Sequence, residues 1–347
     1  MKKSLMAVAL LGAFAGVAHA QTSVTIYGNV DANISKTTGR TAAIGKGDNN
    51  RLGFRGTEDL GGGLKAVFQL EIRYEPDTGT LESVTRPLFQ GESRVGLQGD
   101  FGMVRIGRGL TAMQAGNIPF EPWSYVPSRA GFATDIAVAG YTSDPLSGAG
   151  NSGNRFSNAV FYNSPVLGGG FSFAGVMATK EANGSVALVG RGTTAAPQFG
   201  PNAEAATSPL SFSGQYTNGP FGAMLTYERN AIDTKYLGAG AYFQAMPALK
   251  LMAMWSRQDQ SANRLVNDTT SAWLLGANYV MGAGKLLAGY GEKKPEGLVA
   301  TRQFSLGYEH SLSKRTYLYV DAMNKKTGAL NTSTTINYFD VGVHHKF

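Results

Sequence analysis

Five arginines, Arg51, Arg55, Arg73, Arg94 and Arg105, recur among apolar neighbours at even spacing, as in Arg51-Leu52-Gly53-Phe54-Arg55. In an extended chain successive side chains point to opposite faces. Leu52 and Phe54 then share one face, and Arg51 and Arg55 share the other. The same phase puts Arg73, Arg94 and Arg105 with them, as one basic wall built from neighbouring strands. Such a wall attracts and orients small anions, and it needs no bond-making group to do so. Opposite it the sequence offers Glu121, Arg129 and Asp135, in the long irregular stretch Gly109–Ser157. Acids on a loop facing a basic wall would set a transverse field across the opening between them. Two plainer readings stand beside this one. The arginines could pair with Glu71, Glu75 or Asp31 and only hold the wall together, and the loop charges could simply be solvated. Phe120, Trp123 and Tyr125 are read as wedges between loop and wall.

Catalytic chemistry finds little to work with. Beyond His19 the histidines are His310, His344 and His345, and no G-x-S-x-G turn is present. His344 and His345 point to opposite faces of one strand and cannot share a metal. There is no cysteine, which excludes disulfides and thiolate sites. Gly61-Gly62-Gly63 is a turn with no helix after it, so it is not a phosphate cradle. The expectation is a protein that is not an enzyme and that needs no cofactor or metal.

The elements that must position these charges are short and repeat with period two. Met1–Ala20 has a basic start (Lys2, Lys3), an apolar run (Leu5–Val17) and a small-x-small end (Ala18-His19-Ala20), the pattern of a secretory leader cleaved before Gln21. Residues 21–347 then form a single domain. Alternating runs recur from Val24–Ile34 and Leu64–Tyr74 through Leu88–Gln98, Met103–Arg108 and Asn158–Asn163 to Asn337–Phe347, about sixteen in all. Thr57–Gly63 and Gly99–Gly102 read as turns, Lys36–Asn50, Gly109–Ser157 and Lys325–Ile336 as long loops. Short and long connections alternate, as on the two sides of an outer-membrane barrel. Gly109–Ser157, the third long loop, is long enough to demand a job, and folding into the lumen to narrow it is the one proposed. No apolar run after the leader is long enough for a helical span. A mean hydropathy of −0.13 suits faces that alternate between lipid and water. The formal charge of +7 falls to about +5 without Lys2 and Lys3. In an exported chain this favours small anions over nucleic acid. Phe347 closing an alternating strand suits an aromatic girdle. Lys325-Lys326, read as a loop pair, is either solvated or in contact with lipopolysaccharide phosphate.

Several stretches resemble the Gram-negative general porins, most closely those of beta-proteobacteria: Gln21–Asp31, Arg51–Glu71, Ser93–Arg108, Ser311–Thr316 and Val341–Phe347. The resemblance implies an all-β, 16-stranded antiparallel transmembrane β-barrel with a long third loop folded into the lumen. It implies a homotrimer in the outer membrane, in contact with its lipid and lipopolysaccharide. It also implies passive diffusion of small hydrophilic solutes and ions, and it places Arg51 at the constriction. The chain has Gln90-Gly91-Glu92 where relatives often carry a further Arg, and Pro119-Phe120-Glu121-Pro122 where enterobacterial relatives have Pro-Glu-Phe-Gly-Gly. The expected anion preference is therefore mild. A channel specific for sugars or organic anions, a plugged barrel serving as adhesin or phage receptor and, last, a membrane hydrolase are the alternatives.

Overall fold

The structure, a computed structural model, describes residues 22–82, 87–145, 153–180, 187–190, 198–200, 207–262 and 267–347. The expected leader and the Gly/Ser/Asn-rich Ser147–Ser152 lie outside these residues.

The alternating runs become sixteen strands: β1 (Ser23–Thr37), β2 (Asn50–Gly61), β3 (Leu64–Tyr74), β4 (Glu92–Gly99), β5 (Gly102–Leu110), β6 (Arg155–Asn163), β7 (Phe171–Ala178), β8 (Leu210–Asn218), β9 (Phe221–Arg229), β10 (Lys235–Met246), β11 (Leu249–Asp259), β12 (Thr269–Met281), β13 (Gly284–Pro295), β14 (Thr301–Ser311), β15 (Thr316–Gly328) and β16 (Ser333–Lys346). Each pairs antiparallel with its sequence neighbours. β1 closes the ring by pairing with β2 along Ser23–Asn29 and with β16 along Asn29–Thr37. Closure leaves no open edge, the condition for a sheet to cross lipid. A three-residue strand, Ala43–Gly45, folds back from the first loop onto β1.

The two faces of the wall differ as the period demands. Along β9, Phe221, Ala223 and Leu225 are exposed while Gly222, Met224 and Thr226 are buried. Along β11, Leu251, Ala253 and Trp255 are exposed and Met252, Met254 and Ser256 are buried. The exposed set faces outward as a continuous apolar belt. The buried set faces a core inside the barrel, where Phe120, Trp123, Phe132 and Ile136 of the third loop pack on Met224, Met254, Leu274, Leu287 and Met323 of the wall.

Several boundaries differ from the sequence reading. β2 runs on to Gly61, so the turn read as Thr57–Gly63 is only Gly62-Gly63. The strand read from Leu88 begins at Glu92. β15 continues to Gly328 and β16 begins at Ser333, so Lys325 and Lys326 lie in a strand rather than in a loop. Past the lipid zone the outer face need not be apolar. Alternation fades there while the backbone ladder continues.

Candidate functional site

The third loop leaves β5 at Leu110 and re-enters the wall at β6, at Arg155. A bulge marks its start, between Gly107 and Gly109. Gly107 has φ +133°, and a Cβ there would come within 2.1 Å of the Ser93 carbonyl oxygen, so only glycine fits. The chain then turns into a short helix, α1 (Ala112–Asn117), whose Thr111 Oγ1 accepts from the Gln114 N–H at 3.3 Å. The sequence reading has no helix here. With all of α1 but Ala115 buried, it carries no apolar stripe to read.

Polar groups on the wall then carry the loop across the barrel. Ser211 Oγ accepts from the Met113 N–H at 2.8 Å. Gln215 Nε2 donates to the Gly116 carbonyl at 2.9 Å. Lys250 Nζ donates to the Pro119 carbonyl at 2.6 Å, and Asn278 Nδ2 to the Pro122 carbonyl at 3.1 Å. Trp123 Nε1 donates to Asp321 Oδ1 at 3.0 Å. Gln303 Nε2 donates to the Ala130 and Gly131 carbonyls at 3.1 and 3.0 Å. Phe120 and Trp123 are buried in this contact, as wedges.

The three loop charges take different places. Glu121 is buried within the loop itself, where Oε2 accepts from the Tyr125 N–H at 2.8 Å and Oε1 from the Phe132 N–H at 3.0 Å. Burial pushes its carboxyl up to about 7, against the pull of these N–H groups. Its bonds hold an elbow in which Ser124 and Tyr125 both have positive φ, 53° and 60°, a strained conformation for residues with a Cβ. Asp135 is bridged to Lys293 of β13 and Lys325 of β15. Burial raises its pKa, but the two lysines outweigh burial and hold it below the ordinary value. Arg129 is exposed on the loop. Neither acid faces the arginine wall. One braces the loop internally, and the other pins it to the far side.

Between the loop and β2, β3 and β6 lies a cavity of about 280 Å³. Arg51, Arg73 and Arg155 line the wall side, and Ser124, Tyr125, Val126, Ala133 and Thr134 line the loop side. Asp48, from the first loop, is the only acid among its described lining residues. Arg51 and Arg73 are cross-strand neighbours. Arg73 Nη2 lies 3.2 Å from Glu71 Oε1, and Arg155 Nη2 lies 4.0 Å from the same oxygen. Arg51 Nη2 donates to both Asp48 oxygens at 3.1 Å. Burial raises the Asp48 pKa, but the hydrogen bond from His344 and the charge of Arg51 prevail and hold it below the usual carboxylate value.

The other predicted arginines form a second tier. Arg55 lies four residues from Arg51, ~13 Å along β2 toward the short turns, with its guanidinium 5.3 Å over the Tyr27 ring. Arg94 pairs with Glu92 at 2.9 Å and stacks 5.2 Å over Phe161. Arg105 donates to Asn163 Oδ1 at 2.5 Å. Of the pairing partners considered from sequence, Glu71 meets Arg73, while Glu75 meets Lys46 instead. Arg155 and Asp48 escaped the sequence reading. Arg155 lies beyond an irregularity of β6 at Asn158, where φ is +52°, so the alternation of Ala159 and Phe161 does not run through to it and could not have placed it. Nothing in the sequence marks Asp48.

Comparison with known proteins agrees with this architecture. The family model described as Gram-negative porin matches residues 7–330. The chain is 34% identical to outer membrane porin protein 32 of Delftia acidovorans, over 92% of this chain and 88% of that one. The anion-selective porin from Comamonas acidovorans has a similar structure, at TM-score 0.74 and 25% identity, covering 94% of this chain and all of that one. OmpT of Vibrio cholerae in its trimer form shares the fold at TM-score 0.63 and 12% identity, over 94% and 99% of the two chains.

Proposed function

Because this chain belongs to the Gram-negative porin family, an outer-membrane channel and not an enzyme, we propose that it passes small hydrophilic solutes and ions with a mild preference for anions. The observation that carries the preference is the charge on the cavity beside the third loop: three guanidinium groups and one carboxylate. A passive channel needs a polar lumen, a narrow point and charges that bias entry. Arg51 and Arg73, with Arg155, serve at the narrow point. Arg55, Arg94 and Arg105 form a second basic tier below it. Glu121 and Asp135 hold the loop in place, and Arg129 stays at its water-facing surface. Anion selectivity in the similar Comamonas protein supports the sign of the bias.

In the same reading three chains assemble into a trimer, as the similar Vibrio protein does, with the apolar belt against lipid. Residues 1–20 act as the leader for export, and Lys326, exposed on β15, is left to meet lipopolysaccharide phosphate. Planar-bilayer recording tests this directly. Conductance is expected to rise in groups of three equal steps. The reversal potential in a KCl gradient should favour chloride and should weaken toward 1 M salt, where the Debye length falls to ~3 Å. A cation-favouring potential would reject the anion preference. A saturable block by one solute would instead favour a substrate-specific channel.

A further inference from the structure

We propose that Asp48 is a specificity-determining residue, a counter-charge that the first loop carries into the lumen to cap the anion preference of the constriction. The inference rests on the reading of the cavity between loop and arginines as the path of the ions.

The first loop is built to deliver this carboxylate. Gly47 N–H donates to Asp31 Oδ1 at 2.5 Å, and Asn29 Nδ2 donates to the Asn49 carbonyl at 3.1 Å, so the backbone on both sides of Asp48 is held against β1. A Cβ on Gly47 would come within 2.4 Å of the Tyr319 hydroxyl, so the approach needs glycine. The carboxylate itself is held from two strands. Arg51 Nη2 of β2 donates to both oxygens at 3.1 Å, and His344 of β16 lies with Nε2 3.3 Å from Oδ2. A carboxylate only accepts, so that ring nitrogen carries the hydrogen.

The three arginines are not equivalent as a result. The side chains of Arg73 and Arg155 are 4% and 5% exposed and lie over Glu71, which is outside the cavity lining. The Arg51 side chain is 31% exposed, the most of the three, and it is paired with an acid that itself lines the path. The charge most available to a passing ion is thus the one directly offset. Removing Asp48 should increase anion preference. Removing Arg51 should do more than delete a positive charge, because it leaves the Asp48 carboxylate facing the ions without its guanidinium partner, still held by His344 and Asn29.

The test uses the full-length channel in planar bilayers and reads the chloride-to-potassium permeability ratio from reversal potentials. Asp48→Asn is expected to raise the ratio about three-fold, the effect of one unit charge a few ångström from the ion's path in water. Arg51→Gln should lower it by a similar factor. The double variant should return close to wild type. An Asp48→Asn ratio that is unchanged or lower overturns the proposal, as does a double variant that stays with Arg51→Gln. Trimer yield and heat stability, recorded alongside, report a purely structural role that would leave the ratio alone. If Asp48→Asn forms no channels, Arg51→Gln alone must swing the ratio toward cations, and an unchanged ratio is then the refuting result. The direction of these changes is independent of the wild-type sign, so a cation-favouring wild type would reject the anion reading and leave this test standing.

Discussion

Single residues show where sequence reading stops. The inward phase of Arg51, Arg55, Arg73, Arg94 and Arg105 was legible because period two leaves a charged side chain only one wet face. Glu121 was not legible. A carboxylate in a loop looks the same in sequence whether it faces ions or its own backbone, and here it accepts from Tyr125 and Phe132. Its burial gives a signed prediction. The folded loop holds its proton up to about pH 7, whereas a free side chain releases it near the ordinary value of 4.5. The contribution of this group to loop packing is therefore full below ~4.5 and is lost as pH rises through about 7. Open-channel current noise should grow between pH 5 and 8, and Glu121→Gln should flatten that dependence. Glu121→Ala leaves the buried Phe132 N–H and the half-buried Tyr125 N–H without this acceptor, at ~1–3 kcal/mol for the buried one. Protease should then cut within the loop of the otherwise intact barrel.

Among the elements, the third loop is the one whose placement the sequence foretold and whose attachment it did not. Length alone argued that it must have a role. That it lies along β8–β15, away from the arginines, follows from scattered wall residues such as Ser211, Gln215, Lys250, Asn278 and Gln303, each of which meets a backbone group. No pattern in one dimension links such pairs. The same is true of Lys325, which reads as part of a solvated pair and becomes a clamp on Asp135 only when β15 extends to meet it. Asp321 is the other clamp, accepting from Trp123 and Ser128. Asp321→Ala should leave both donors unpaired and loosen the loop around Trp123 and Ser128, with the Lys325–Asp135 clamp on β15 still in place. Single-channel records should then show larger, noisier openings with frequent partial closures, while trimer yield stays near wild type. A quiet channel of unchanged conductance would show that the apolar wedge of Phe120, Trp123 and Phe132 suffices by itself.

At the scale of the whole molecule, lipid and water divide the wall. Leu225, Ile106, Val95 and Phe304 face out and are among the most exposed residues of their strands. Aromatic pairs run along the short-turn rim, with Tyr162 and Phe173 at 5.8 Å, Phe171 and Tyr216 at 4.7 Å, and Phe221 and Phe243 at 4.8 Å. They form the girdle that the sequence only suggested at Phe347. Leu225→Arg, at the middle of β9, should lower barrel stability by ~2–4 kcal/mol in a reversible lipid-refolding titration. The same change at Gln98, on the wet face of β4, should stay within ~0.5 kcal/mol. One further consequence lies in the seam where β1 meets β16. The two partners there are the first and last barrel strands in chain order, so every strand between them must be delivered before the ring can be sealed. Until then both margins carry bare amide and carbonyl groups that lipid cannot solvate. A half-delivered chain therefore has no halfway home in the membrane and depends on being kept out of it.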